Sequence, residues 1–476
     1  MSRVTHFRDG AAPAQLGHSL RRRHVEMIAI GGIIGAGLFV GSSSAIAMVG
    51  PAVIVSYAVA GLIVLFVMRM LTEMAVAVPG EQAFPEFARL GLGHWAGFMS
   101  GWLYWYFWVV VVAIEAIAGA NIIHAWLPMF AVWQIGVALM AVLTAVNLLS
   151  TRSYGEFEFW LSSIKVAAIL AFILIALGYV TGLTNPAGPT FANLVARGGF
   201  APHGWPAVLA GVTSVIFALT GAEIATIAAA ESTESSGMIA RMTSTVALRI
   251  LIFYVLSIGL IVAAVPWTAI VPGISPFTTA LATIGIPGGA WIMSAIVLVA
   301  VLSCLNSGLY VTSRVLFALA ASGDAPQALV RVGRRKVPTR AILIASIFSY
   351  GALAASVLSP TLVFTFLVNA SGAIMLVIYL LIAASQLRLR ARLERETPER
   401  LSIRMWFHPW GSLAAIAAMA AVLVTMALTP DLSAQFYASL APILMIGLAL
   451  SLVRRRRKAR GASAATSPAR RSASRS

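Results

Sequence analysis

Charged residues are scarce in this chain of 476 residues, at only 10%, whereas hydrophobic residues make up 60%. A soluble domain of this length needs a polar exterior, and this composition does not supply one. The shortage of charge therefore excludes an ordinary soluble fold and predicts an integral membrane protein whose solvent is lipid. The mean hydropathy of +0.91 agrees with that prediction.

Cysteine is almost absent as well, because Cys304 is the single one. A disulfide framework within the chain is thereby excluded. The chain has no Walker-type phosphate loop, so ATP-driven pumping is not expected. Its seven histidines are scattered and lack the spacing of metal ligands. We therefore expect no cofactor, no metal site and no enzymatic activity.

Acidic residues are also few, 16 against 33 Lys and Arg, which gives a net charge of +17. An excess of this size occurs in nucleic-acid-binding proteins. Here the positive charge lies in short segments between apolar runs and in the tail that follows Val453. That distribution is typical of residues that set membrane topology, so we expect no nucleic-acid partner. We interpret the tail as lying against anionic lipid headgroups.

Apolar windows of about 20 residues, long enough to cross a bilayer as helices, recur along the chain. We place twelve of them, at residues 25–48, 51–77, 96–124, 131–149, 157–180, 207–230, 243–265, 289–320, 340–358, 361–385, 411–429 and 434–453. None alternates like a barrel strand, so helices are the predicted spanning element. The first apolar stretch is too long for the core of a signal peptide, and we expect it to be a retained span.

Basic residues of the predicted loops fall almost entirely on one side of these spans. If the amino terminus is cytoplasmic, the loops on the opposite side hold only Arg197 among Lys and Arg. The positive-inside rule then places both termini in the cytoplasm. We predict a multi-pass protein of the cell inner (plasma) membrane.

Glycine interrupts the first predicted span, where residues 31–37 contain four glycines. Each glycine disfavours helix by about 1 kcal/mol relative to alanine. Within lipid, a helix break leaves backbone N–H and C=O groups without hydrogen bonds, and protein or ligand must satisfy them. Free amides at the start of the next half-helix form a natural carboxylate site. The same glycine spacing also suits tight helix packing, so both interpretations stay open for this segment alone.

The sixth predicted span is interrupted as well, by Gly221 and Glu223. Breaks at corresponding places, five spans apart, indicate an inverted-repeat transporter with its binding site at the membrane midplane. We therefore predict an all-α membrane protein of twelve transmembrane helices. Its predicted parts are a cytoplasmic amino-terminal segment (1–24), a first five-helix repeat (25–180), a second five-helix repeat (207–385), two peripheral helices (411–453) and a basic cytoplasmic tail (454–476).

Several motifs resemble those of the amino acid–polyamine–organocation superfamily, and within it the bacterial amino acid transporter family. The resemblance runs from about Leu20 to Leu452. The matching stretches are Gly31–Gly41, Met68–Met74, Gly101–Trp105, Tyr154–Trp160, Ser303–Ser307 and Gly323–Pro326. Three further details are similar to the 4-aminobutyrate permeases of that family: Gly35-Ala36 without a hydroxyl, Gly221–Ser232 and Asn369–Ile374.

This resemblance implies a leucine-transporter-type fold, with the first and sixth helices broken, that works by alternating access. In relatives, backbone amides of the first broken helix hold the substrate carboxylate, and carbonyls of the sixth hold the ammonium. The resemblance assigns Ile33, Gly35, Ala36 and Gly37 to the carboxylate side. It assigns Phe217, Ala218 and Thr220, with Gly221 at the break, to the ammonium side.

Ionisable residues deep in predicted spans are costly and indicate function. The resemblance suggests that Lys165 places its ammonium where sodium-coupled relatives bind Na⁺, and we favour proton coupling there over snorkelling to the inner face. For Glu223 and Glu115, proton coupling and a structural role both stay open. Arg69 and Glu73, four residues apart, are interpreted as a helical ion pair near the inner end of the second span.

The predicted function is import of a small amino acid, 4-aminobutyrate or a similar compound, by proton symport. The expected partners are that substrate, protons and the lipid bilayer. The alternatives are import of another amino acid (aromatic, proline or alanine), amino acid exchange, or a sensor that binds amino acids without moving them. A sensor needs a signalling domain, and neither polar terminus is long enough to fold into one.

Overall fold

The computed structural model describes residues 34–78, 84–149, 151–221, 223, 249, 251–330, 337–355 and 360–466. Within these ranges the chain forms helices joined by turns, and no described residue belongs to a β-strand. The predicted all-α class is therefore confirmed for this part of the chain. The first glycines of the first break and Ile33 lie outside the described residues.

The α-helices follow one another along the described chain, with short 3₁₀ and π turns between some of them. They are α1 (Ser42–Val49), α2 (Val53–Ala77), α3 (Phe84–Leu92), α4 (His94–Trp126), α5 (Val132–Leu149), α6 (Thr151–Val180), α7 (Gly204–Leu219), α8 (Ser257–Ala264), α9 (Pro276–Ile284), α10 (Gly289–Ala321), α11 (Thr339–Ala355), α12 (Pro360–Glu396), α13 (Trp410–Leu428) and α14 (Pro430–Thr466). Two π-helical turns, Gly37–Gly41 and Leu251–Leu256, lead into α1 and α8.

Eight stretches of the described residues are long and apolar enough to cross a membrane. They are Gly37–Ala77, His94–Trp126, Val132–Leu149, Gly155–Val180, Gly289–Ala321, Phe366–Glu396, Trp410–Leu428 and Leu432–Val453. Two shorter apolar helices, Gly204–Leu219 and Ile252–Ala264, accompany them. The chain is thus a multi-pass membrane protein, and helices overlap every predicted window. The first two windows form one helical run because the turn between them, Gly50–Ala52, is itself helical.

Some helix boundaries differ from the predicted windows. The short helices α3 and α9 lie between windows, and at nine residues each they are too short to span a bilayer. Helix α12 continues beyond the window at 361–385 as far as Glu396. Helix α14 continues to Thr466, so the predicted basic tail begins as helix. A hydropathy window ends where charge begins, whereas a helix continues wherever its backbone hydrogen bonds are satisfied.

Helices α4 and α10 form the centre of the bundle and make the most extensive contact between any two elements. In the most apolar window of α4, 78% of residues are buried, against 11% in the window of α14. Helix α4 is therefore enclosed on all sides, whereas α14 lies at the periphery. This central position allows α4 to contact both interrupted helices.

Helix α12 approaches α7 closely through Gly372. A Cβ at that position would lie 2.0 Å from the Thr213 carbonyl oxygen. Only glycine permits so short a backbone separation. The side chain of Asn369, on the same helix, also accepts a hydrogen bond from the Ser214 hydroxyl. These contacts hold the second half of α7, which leads to the sixth predicted break, against α12.

Candidate functional site

The first break lies immediately before the π turn that opens α1. The carbonyl of Gly35 accepts hydrogen bonds from the amides of Leu38 and Phe39, each at 3.2 Å, so helical bonding begins there. The Ala36 amide precedes those bonds and donates to the Glu115 carboxylate, with distances of 3.0 and 3.1 Å to the two oxygens. A remote side chain of α4 therefore satisfies an amide that the break leaves free.

The sixth break lies at the end of α7. Thr220 has extended backbone angles, and Gly221 has φ +121°, a conformation that side chains other than glycine rarely adopt. The Gly221 amide donates to the Glu223 carboxylate at 3.2 and 3.3 Å. The Tyr104 hydroxyl of α4 donates to the same carboxylate at 3.2 Å. Helix α7 thus ends at the predicted break, and Glu223 caps that end.

The two breaks lie against one another, because their residues are small where they meet. A Cβ on Gly37 would lie 2.6 Å from the Ala218 Cα and 3.3 Å from the Phe217 ring. A Cβ on Gly35 would lie 2.7 Å from the Cys304 side chain and from Glu115 Oε1. Larger residues would separate the segments, so the first glycine cluster serves close packing as well as the break.

A small cavity lies between the two breaks and α4. Its wall is formed by Gly35, Gly37, Phe107, Trp108, Val111, Glu115, Phe217, Ala218, Thr220 and Cys304. The wall includes most of the residues predicted to bind substrate. Ala36 reaches the site through its amide, and Gly221 follows the wall residue Thr220. Trp108 belongs to an aromatic cluster of the third predicted span whose pocket-lining member the sequence did not identify, and Phe107 was not singled out, since an aromatic at helical spacing usually marks packing.

Helix α4 connects the two breaks through residues on one of its faces. Tyr104 contacts the sixth break and Glu115 contacts the first. Eleven residues make about three helical turns, so the two side chains point the same way and lie about 16 Å apart along the axis. Glu115 is 1% exposed, as expected for a group facing the protein interior. Its contact with the Ala36 amide shows which segment it faces.

Lys165 of α6 is fully buried and lies directly behind the first break. Its ammonium donates to the Ile34 carbonyl at 2.9 Å and to the Ser303 hydroxyl at 2.7 Å. The side chain therefore does not snorkel to a membrane surface. The Ile34 carbonyl belongs to the first break. Lys165 and Glu115 therefore contact the same segment, Lys165 at a carbonyl and Glu115 at an amide.

Glu158 is a site residue that the sequence interpretation missed. Its carboxylate lies 3.8 Å from the Lys165 ammonium and accepts hydrogen bonds from the hydroxyls of Ser162, at 2.9 Å, and Ser303, at 2.5 Å. It was included only within the Tyr154–Trp160 motif. The signal that could have found it is its spacing of seven residues from Lys165, about two helical turns, which places both charges on one face.

The predicted pair of Arg69 and Glu73 is wrong. Glu73 instead accepts hydrogen bonds from Arg390, Gln386 and the Met405 amide, the first two at 2.7 Å. Arg69 donates to the Arg404 carbonyl at 3.0 Å. The two side chains are close enough in sequence to pair, but buried partners on α12 and the loop after it satisfy Glu73 more completely.

The Gly323–Pro326 motif lies at an ionic cluster apart from the cavity wall. Asp324 contacts Arg89 of α3 at 2.6 Å and the His94 ring at 2.8 Å. Burial lowers the pKa of the Arg89 guanidinium, but the hydrogen bond and charge of Asp324, with the charge of Glu86, hold it above its ordinary value. Arg89 therefore remains charged at any working pH. The motif joins α3 to the turn after α10.

In the described residues, the start of one apolar helical run and the end of another meet at a cavity inside a helical membrane bundle, which fits a membrane transporter. Comparison with known sequences agrees. The chain belongs to the amino acid permease family, whose model matches residues 24–462. It is accordingly an amino acid transporter and not an enzyme.

Relatives in this family cover most of the chain. The gamma-aminobutyric acid permease of Bacillus subtilis (strain 168) is 48% identical over 409 residues, covering 86% of this chain and 87% of the relative. That of Escherichia coli (strain K12) is 44% identical over 422 residues, covering 88% and 90%. The aromatic amino acid transport protein of Corynebacterium glutamicum is 38% identical over 418 residues, covering 86% and 89%.

Proposed function

We propose that this chain imports 4-aminobutyrate, or a similar small amino acid, by proton symport and alternating access. The observation that carries the proposal is the Ala36 amide, which donates to a carboxylate at the edge of a cavity bounded by both breaks. An amide that already holds one carboxylate can hold a substrate carboxylate in the same way. The higher identity to two gamma-aminobutyric acid permeases than to the aromatic amino acid transport protein favours 4-aminobutyrate.

In this proposal the substrate lies across the cavity with its charged ends at the two breaks. The carboxylate binds the first break through Ile33, Gly35, Ala36 and Gly37. The ammonium binds backbone carbonyls of the sixth break through Phe217, Ala218, Thr220 and Gly221. The carbon chain of the substrate, between its two charged ends, passes Phe107 and Trp108. Such a site favours a small zwitterion because backbone groups and the Glu115 carboxylate face a wall that is otherwise largely apolar.

Proton coupling is proposed to involve Lys165, with Glu115 and Glu223 at the two breaks. Lys165 holds the Ile34 carbonyl and also faces Glu158 and Ser303 on α6 and α10. Loss of the lysine proton would remove the charge that faces Glu158 and weaken the contact with the first break. Because that break forms part of the substrate site, proton occupancy and substrate binding would be linked.

The wider architecture belongs to the same proposal. We propose twelve spans in a leucine-transporter-type arrangement, with repeats at 25–180 and 207–385, and with both termini on the cytoplasmic side of the inner membrane. The paired interruptions and the peripheral position of α14 support it. Exposed cysteines introduced in the loop at 181–203 would react with an impermeant maleimide from outside the cell, whereas cysteines at 397–409 would not.

Import of an aromatic amino acid is the second candidate, and it is favoured by the 38% identical relative and by the aromatic wall residues Phe107 and Trp108. An uptake assay distinguishes the two substrates. It uses the full-length protein in proteoliposomes with an imposed pH gradient that drives protons inward. Labelled 4-aminobutyrate should accumulate, and unlabelled 4-aminobutyrate should compete better than phenylalanine, proline or alanine. Stronger competition by phenylalanine would favour an aromatic amino acid as the substrate instead. Accumulation without a pH gradient would contradict proton symport.

A further inference from the structure

The Glu115 carboxylate occupies the place that the proposed function gives to the substrate carboxylate. Both of its oxygens lie within hydrogen-bond distance of the Ala36 amide, at 3.0 and 3.1 Å. The side chain comes from another helix, 79 residues away in sequence, and is 1% exposed. It also lines the cavity between the two breaks. A carboxyl group of the protein itself is therefore bound at the amide.

We propose that Glu115 is an internal occupant of the carboxylate site, and that a substrate binds there by displacing Glu115 from the Ala36 amide. This inference rests on the proposed function, since it takes the first break to hold the substrate carboxylate. It makes Glu115 a specificity-determining residue. The zwitterionic substrate gains contacts for its ammonium at the sixth break that offset the displacement, whereas a plain carboxylate such as butyrate does not.

The two carboxylates cannot share the amide, for reasons of space and charge. A Cβ on Gly35 would lie 2.7 Å from Glu115 Oε1, so the Glu115 side chain already fills the space beside the break. A second carboxylate at that point would be held against the first in a low-dielectric interior, where like charges repel strongly. One of them must leave the amide for the other to bind.

The break itself has an anchor that does not depend on Glu115. Lys165 holds the neighbouring Ile34 carbonyl at 2.9 Å. The carbonyl of Gly35 is engaged by the amides of Leu38 and Phe39. Glu115 can therefore leave the Ala36 amide while the segment keeps its other contacts, which a freely exchangeable ligand position requires.

The test compares ligands that carry only one of the two charges. Full-length wild type, Glu115→Ala and Glu115→Gln are purified in detergent, and butyrate and n-butylamine are titrated against bound labelled 4-aminobutyrate. The melting temperature is also followed as butyrate is added, which reports binding without the labelled ligand. The control is Thr144→Val, which removes a buried hydrogen bond to Ser346 between α5 and α11, away from the cavity wall.

Removal of the occupant should strengthen butyrate binding. The butyrate dissociation constant of Glu115→Ala should fall on the order of tenfold, the equivalent of about 1.4 kcal/mol, because butyrate no longer has to displace a bound carboxyl group. Glu115→Gln should show a smaller gain, because its neutral amide oxygen still competes for the Ala36 N–H. Butylamine should bind neither variant more tightly, and Thr144→Val should resemble wild type for both ligands.

Each contrary result has a defined meaning. Unchanged or weaker butyrate binding in folded Glu115→Ala and Glu115→Gln would overturn the inference, as would a failure of both variants to fold, since Glu115 would then be a structural cap. Loss of butylamine competition without a gain for butyrate would make Glu115 an ammonium ligand instead. Absence of amino acid uptake by wild type would reject the proposed function itself, a separate outcome in a separate assay.

Discussion

The first and sixth breaks border one cavity, yet a carboxylate caps each of them in a different way. At the sixth break the cap is local, because Glu223 binds the Gly221 amide two residues earlier. At the first break the cap is remote, because Glu115 reaches the Ala36 amide from another helix. A local cap forms whenever its own turn forms. A remote cap depends on how two helices are placed and is lost when they move apart.

This difference indicates that the two breaks have different roles. Glu223 holds the sixth break in shape through contacts within one turn, supported by the Tyr104 hydroxyl. The first break is held by two charged groups from different helices, Glu115 at the amide and Lys165 at the carbonyl of Ile34. In the proposed function, the first break is therefore the side of the cavity where proton and substrate are exchanged.

The largest effect is expected from removing the charge behind the first break. Lys165→Gln should reduce uptake driven by a pH gradient to the level reached without a gradient, since the ion that faces Glu158 and holds the Ile34 carbonyl is lost. Uptake of labelled 4-aminobutyrate into proteoliposomes measures this. Counterflow without a gradient serves as the control and should be retained. Gradient-driven uptake that persists in Lys165→Gln would remove lysine from the coupling mechanism.

An intermediate effect is expected from crowding the first break. In Gly35→Ala the new Cβ would lie 2.7 Å from Cys304 and from Glu115 Oε1, and overpacking of this kind costs about 1–3 kcal/mol. The melting temperature should fall and 4-aminobutyrate binding should weaken together. The matched control is Gly351→Ala in α11, where no heavy atom lies within 4 Å of the added Cβ. Equal behaviour of the two variants would show that the first break is loosely packed.

The smallest effect is expected from loosening the cap of the sixth break. Tyr104→Phe removes one hydrogen bond to Glu223, while both contacts of that carboxylate with the Gly221 amide remain. A single neutral donor contributes about 1 kcal/mol, so the melting temperature should fall only slightly. The affinity for 4-aminobutyrate should change less than it does in Gly35→Ala. A larger loss of affinity in Tyr104→Phe than in Gly35→Ala would show that substrate binding depends more on the sixth break than on the first.

Much of the fold follows from local patterns. Hydropathy windows located the helices because lipid requires about 20 apolar residues in a row and backbone bonds within each span. Their ends were less exact, since α12 and α14 continue as helices past the last apolar residues. The short helices α3 and α9 were missed because neither resembles a span in length.

Several residues that the sequence singled out lie at one cavity, whereas their contacts were not predicted. Gly35, Gly37, Phe217, Ala218 and Thr220 all line the cavity. What the motifs did not indicate was that Glu115 already binds the Ala36 amide. The prediction for Arg69 and Glu73 failed for a related reason. It used sequence spacing on one helix, whereas a buried carboxylate takes the donors that the folded bundle brings to it.

The sequence by itself determined that lipid is the solvent, that the spans are helices, and that glycine interrupts two of them. It also contained the cap of the sixth break, since Gly221 and Glu223 are two residues apart. The tertiary structure alone decided the contacts of the first break. Glu115 lies 79 residues from Ala36, and Lys165 lies 131 residues from Ile34. Contacts over such separations depend on how helices pack, which the periodicity of a single helix does not encode.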